Sequence, residues 1–117
     1  MGSFYVTFQI GDPRGDRWED VRALVDTGAV FTWVPRDVLE RLGVLPTRQL
    51  DFEIADGGVI QRDVDETRVR YEGDELTTIV IFGDPGSRPL LGAYTLEGYL
   101  LAPDPVSQTL IHVPGVA

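Results

Sequence analysis

The sequence predicts an all-β fold, sandwich or barrel, with one or two short helices. Three observations carry this. Turn signals recur at short intervals, at Gly11-Asp12-Pro13, Asp56-Gly57-Gly58, Glu72-Gly73-Asp74, Gly83-Asp84-Pro85-Gly86 and Pro103-Asp104-Pro105. The runs between them are short and rich in β-branched and aromatic residues. The 117 residues, 43% apolar, suffice for one domain, 1–117, with a core that needs no staples.

Each element follows from local chemistry. Residues 3–10, ending Val6-Thr7-Phe8-Gln9-Ile10, alternate apolar and polar and form a first hairpin with 18–26. Phe31-Thr32-Trp33-Val34 is a short strand. Pro35 to Gly43 reads as a helix, with Pro at its start, Gly at its stop, and Val38, Leu39 and Leu42 on one apolar face. Residues 48–55 and 59–71 flank Asp56-Gly57-Gly58, a hairpin signal because Gly tolerates the positive φ of tight turns. Leu76 to Phe82 reads as a buried strand. Ala93 to Leu100 is a second, shorter helix candidate. It overlaps Gly98-Tyr99-Leu100-Leu101-Ala102, which pairs with Thr109 to Val113 across the Pro-rich turn.

Composition excludes several chemistries. Zero Cys removes disulfides, thiolate metal sites and a Cys nucleophile. One His, His112, leaves no multi-histidine site and argues against a Ser-His-Asp triad; it is expected to be structural or exposed. All ten basic residues are Arg, so Lys nucleophiles, Schiff bases and the P-loop Lys are absent. A net charge of −9 disfavours nucleic acid and anionic membrane surfaces as partners. No segment approaches the roughly 18 apolar residues of a membrane span. The first residues carry no basic n-region or A-x-A site, so a soluble, cytoplasmic protein is expected. Trp18 and Trp33 are expected in packing roles. Asp63-Val64-Asp65-Glu66 is expected as a solvated strand face, offset by Arg68 and Arg70.

One feature resists a purely structural explanation. In Ala23-Leu24-Val25-Asp26-Thr27-Gly28-Ala29 an apolar strand ends in an acid, a hydroxyl and a glycine. A strand interior has little use for Asp. Alone, the tripeptide is compatible with an ordinary turn. Further along, Pro89-Leu90-Leu91-Gly92-Ala93 places two apolar residues and a Gly before a short helix, as in a strand packed tightly on another backbone. The Asp56-Gly57-Gly58 hairpin lies between them.

In that order the three resemble the retropepsin-like aspartic proteases, which include retroviral proteases and small bacterial and eukaryotic relatives. The resemblance covers nearly the whole chain. It implies a closed or partly closed barrel of the acid-protease type. It implies that Asp26 is the catalytic aspartate, within Asp26-Thr27-Gly28, and that Thr27 locks two active-site loops together. Ala29 and Val30, with the flap residues Ala55, Asp56, Gly57, Gly58 and Val59, would contact substrate. Leu90, Leu91 and Gly92 would brace the catalytic loop from behind. No metal and no organic cofactor is implied.

The chemistry explains those residue types. Water attacks a peptide bond when one carboxylate takes its proton and a second carboxyl protonates the carbonyl oxygen. Two adjacent carboxyls cannot both ionise, so they share a proton. This chain supplies one such acid: Asp12, Asp56, Asp63, Asp65, Asp84 and Asp104 are each followed by something other than Thr-Gly or Ser-Gly. The expected partner is therefore a second copy in a C2 homodimer, acting on a peptide or protein substrate. Two positions depart from the retroviral pattern. Val30 stands where those enzymes carry Asp, and Ala93 where they carry Arg. Those two charges pair near the retroviral dimer interface, so losing both leaves no orphan charge; the chain looks closer to the bacterial members. Two other readings remain open from residues alone: a non-catalytic dimerisation or peptide-binding module on the same fold, and an unrelated barrel in which Asp26 only starts a turn.

Overall fold

The first alternating run folds back on itself. In the computed structural model, which describes residues 3–117, β1 (Tyr5–Gly11) pairs antiparallel with β2 (Trp18–Val25), and Phe8 lies opposite Val21. Phe8, Ile10, Val21 and Ala23 point inward and are buried. The turn between the strands is tied by Asp12, whose Oδ1 accepts the backbone N–H groups of Asp16 and Arg17 at 2.7 and 2.8 Å. Such donation, chiefly from Arg17, favours the anion and holds the carboxyl below its ordinary range. β2 ends at Val25, so Asp26 stands just beyond the strand.

The middle of the chain forms β3 (Thr32–Pro35), α1 (Arg36–Arg41), β4 (Arg48–Glu53), β5 (Val59–Tyr71) and β6 (Asp74–Gly83). α1 is shorter than the Pro35 to Gly43 expectation. It is capped by Leu42, followed by Gly43 at φ +75°. Leu39 and Leu42 anchor it in the core. β5 and β6 are joined by Glu72 and Gly73, both at positive φ, a two-residue turn that matches strand twist. Then come β7 (Leu90–Leu91), α2 (Ala93–Tyr99), β8 (Leu101–Asp104) and β9 (Thr109–His112).

The strands order as β1-β2-β7-β3-β6-β5-β4, and β1 also pairs with β5 through Gln9–Arg70 and Ile10–Val69. That contact closes the sheet into a ring, leaving β4 outside as the arm of a hairpin with β5. The fold is thus the all-β, ring-closed type with two short helices. β2 and β7 run parallel, as do β3 and β6. The core inside the ring gathers Phe8, Ile10, Val34, Leu39, Val69, Val80, Phe82, Leu91 and Leu96.

Three expectations change. The strand expected at Gly98 to Ala102 starts at Leu101, because α2 runs through Gly98 to Tyr99 and Leu100 makes the turn at φ +55°. Arg68 and Arg70 do not offset the acids of their own strand. Both approach Glu75 across β6, while Asp63 is held by Arg36 and Asp65 accepts from the Thr47 hydroxyl. Trp33 faces a surface groove as well as packing on Phe52. His112 is exposed on β9. Among the described residues no helix is long and apolar enough to cross a membrane.

Candidate active site

The Asp26 loop is built by backbone. β2 and β7 pair in parallel, with Leu24 beside Leu90 and Val25 beside Leu91. The Leu24 N–H donates to Pro89 O and the Asp26 N–H to Leu91 O, both at 3.0 Å. The chain then turns sharply. Ala29 N–H donates to Asp26 O at 3.1 Å, and Gly28 N–H donates to Asp26 Oδ1 at 2.9 Å. The carboxylate is therefore oriented by its own loop. Asp26 forms no ion pair among the described residues, and Oδ2 has no hydrogen-bond partner among them. Gly28 permits this geometry, since a Cβ there would sit 3.2 Å from Oδ1.

Leu90, Leu91 and Gly92 lie directly behind the loop. Gly92 is buried, and a Cβ on it would fall 2.8 Å from Ala29 O and still nearer to Phe31 O. Only glycine allows these backbones to approach so closely. The first N–H groups of α2 are satisfied by the same loop: Ala93 donates to Ala29 O at 2.8 Å and Tyr94 to Val30 O at 2.9 Å. Residues 26–30 and 90–94 thus form one interlocked unit.

Two hollows flank the loop, and Asp26 lines the first. One, of about 370 Å³, is lined by Ser3, Phe4, Val25, Asp26, Thr27, Pro103 and Pro105. The other, of about 310 Å³, runs from Gly28, Ala29 and Val30 past Trp33 to Phe52 and Ile54, over Ile60 and Ile81, with Asp51 and Glu53 also lining it. Asp26 is half-buried, while Thr27 and Gly28 are exposed. Val30 is 53% exposed and Ile54 40%, so the second groove presents apolar surface to solvent. Phe52 joins its two walls, with ring centroids 6.2 Å from both Phe31 and Trp33.

The hairpin tip has a defined turn. Gly57 N–H donates to Ile54 O, Ile54 N–H to Gly58 O, and Asp56 Oδ1 accepts from Gly58 N–H at 2.8 Å. Gly57 takes φ +88°, the left-handed residue of a three-residue hairpin loop. Ala55, Asp56, Gly57, Gly58 and Val59 form this exposed tip and its exit, beyond the residues that line the groove; Ile54 is the residue of the tip that reaches it. Groove residues that sequence reasoning passed over are Phe52, Ile54, Ile60 and Ile81. The alternation Leu50-Phe52-Ile54 was the available signal. Among the described residues no group of three or more His, Cys, Asp or Glu is placed to hold a metal ion.

Residues 17–98 match the family model described as "gag-polyprotein putative aspartyl protease". No curated protein sequence matches the chain significantly. Solved structures share the fold. The retroviral protease-like domain of Ddi1 from Leishmania major is 20% identical, with a TM-score of 0.65 over 96% of this chain and 89% of that one. A retropepsin-like aspartic protease from Rickettsia conorii is 20% identical, with a TM-score of 0.61 over 88% of this chain and 77% of that one. The simian foamy virus protease is 22% identical, with a TM-score of 0.57 over 80% and 91%. With its family match extending from β2 to within α2, and with this fold, the chain belongs to the retroviral-type, retropepsin-like aspartyl protease family.

Proposed function

We propose that residues 1–117 act as one domain, an aspartic endopeptidase that works as a homodimer. The observation that carries this reading is the Asp26 loop. Its carboxylate is oriented by Gly28 N–H, braced from behind by Leu91 and left open in front. The chain holds only one Asp-Thr-Gly. A second copy related by a two-fold axis supplies the matching acid. One carboxylate takes a proton from the water between them, and the other, protonated, donates to the carbonyl oxygen of the scissile bond. The rate then requires a singly protonated pair, so it falls at both extremes of pH.

The apolar side chains of the groove support the substrate class. An extended peptide under the β4–β5 hairpin would lay side chains against Val30, Trp33, Phe52 and Ile54. Val30 suits this better than an acid would, because it extends the apolar wall. Thr27, exposed and without a side-chain hydrogen bond among the described residues, is available to the partner's loop.

The test combines solution mass, by light scattering over a concentration series at pH 5 and 7, with cleavage of a peptide library by the same samples. A dimer that cleaves, and an Asp26→Asn dimer that does not, are the expected results. A strict monomer without cleavage at any concentration would overturn the reading and favour a binding module.

A further inference from the structure

Behind the Asp26 loop runs a chain of buried hydroxyls. The Gly92 N–H donates to Thr32 Oγ1 at 3.1 Å. Thr32 Oγ1 lies 2.6 Å from Thr95 Oγ1, which lies 2.8 Å from Thr78 Oγ1. The three threonines come from β3, α2 and β6, and each is at most 1% exposed. Around them the core is apolar, with Val80 opposite Thr32 and with Leu91 and Leu96 beside Thr95. Valine would fill the same volume there without burying an oxygen. Hydroxyls in such a place persist only when paired, and three paired with one another form a rigid cross-link between elements.

Where this cross-link ends is informative. It ends on the backbone of Gly92, which has no side chain to hold it. Gly92 follows Leu91, whose carbonyl receives the Asp26 N–H. The next N–H, that of Ala93, returns to Ala29 O on the far side of the same loop. The threonines therefore pin the short segment that sets how far Asp26 stands forward. In a two-fold dimer any shift of this loop enters the separation of the two carboxyls twice.

We propose that Thr95, the central hydroxyl of this chain, is a positioning residue for Asp26. It acts through Thr32 and Gly92 and touches no substrate. The catalytic part of the inference rests on the protease reading above; the structural part, control of the Asp26 loop, can be measured without cleavage.

The experiment uses the full chain with Thr95→Val, Thr95→Ser and Thr78→Val. For each, kcat and KM are measured on a peptide selected from the library. Amide hydrogen exchange at Gly92 and Asp26 is followed by NMR. Thr95→Val keeps the volume and loses the hydroxyl, so kcat should fall about tenfold or more with KM nearly unchanged. Gly92 and Asp26 should exchange faster, while Ile10 and Val69 on the far side of the ring keep their protection. Thr95→Ser keeps the hydroxyl and should restore kcat and exchange towards the parent, although it removes a methyl. Thr78→Val truncates the chain at its outer end and should shift both readouts in the same direction by less; it decides the matter if Thr95→Val does not fold. Parent-like kcat and exchange in a folded valine variant would overturn the proposal. If the parent cleaves nothing, the protease reading fails, and exchange at Gly92 and Asp26 still decides whether Thr95 holds the loop.

Discussion

The Asp26 N–H donates to the Leu91 carbonyl at 3.0 Å, joining the end of β2 to the end of β7. Two parallel strands thus present an acid at one terminus and a close-packed glycine at the other. The closeness is sensitive to Gly92. Its φ is ordinary, so alanine there suffers no backbone strain; the added methyl would instead overlap Ala29 O and Phe31 O. Gly92→Ala should cost about 3 kcal/mol or more, the upper range of overpacking, because backbone cannot rotate away as a side chain can. Gly43→Ala is the control. It has φ +75° and nothing within 4 Å, so only strain applies, about 1–2 kcal/mol. Urea unfolding of both variants checks the contrast; equal losses would show that Gly92 is not sterically confined.

Asp26→Asn should leave the fold intact, with stability changed by no more than about 0.5 kcal/mol. The amide oxygen can still accept the Gly28 N–H that Oδ1 now receives at 2.9 Å. The variant cannot supply or store a proton, so cleavage should fall by about 10³-fold or more, the scale of lost acid–base catalysis. Mixing offers a sharper test of a shared site. Exchange of equal amounts of parent and variant should leave about a quarter of the dimers with two Asp26 residues, and activity should fall to that fraction. Activity that stays at half would point to a site complete within one chain.

Much of this architecture was legible in the residues. The β1–β2 hairpin announced itself by alternation, the β4–β5 hairpin by Asp56-Gly57-Gly58, and the unit around Asp26 and Gly92 by residue types that ordinary strands do not use. Long-range features were not legible. Nothing local marks the pairing of Ile10 with Val69 that closes the ring, because those positions look like any strand residues. Spacing alone sets Arg68 and Arg70 beside the acids on their own strand, whereas the register of β5 with β6 brings Glu75 to them. The groove was half visible. Val30 followed from the motif, but Trp33 and Phe52 meet only when β4 folds back over β3.

Thr27 is exposed and makes no side-chain hydrogen bond among the described residues. Thr27→Val should therefore leave the isolated chain within about 0.5 kcal/mol of the parent. If its hydroxyl engages the partner's loop in a dry interface, the dimer should weaken by about 1–3 kcal/mol, the cost of stranding a buried polar group. Light scattering over a dilution series, set beside thermal unfolding of the monomeric fraction, separates the two effects. Unchanged dimerisation would place Thr27 outside the interface.

Tyr99 provides a pH test of the packing beneath α2. Its ring lies against Leu96, Leu101, Leu110 and Tyr71, and its hydroxyl donates to Asp74 O at 2.9 Å. Burial, helped by the nearby Asp74 carboxylate, disfavours the phenolate and pushes the pKa from 10.0 up to about 12. The folded value lies above the unfolded one. The associated stability is therefore complete below pH 10.0 and is lost as the pH rises towards 12. Tyr99→Phe keeps the ring and removes the hydroxyl. At pH 7 it should cost about 1 kcal/mol, the net value of one hydrogen bond. Above pH 10.0, where the parent loses stability to phenol ionisation in its unfolded state, the variant should lose less. The gap between the two unfolding midpoints should thus narrow from neutral to alkaline pH. A constant gap would mean that Tyr99 ionises as readily folded as unfolded.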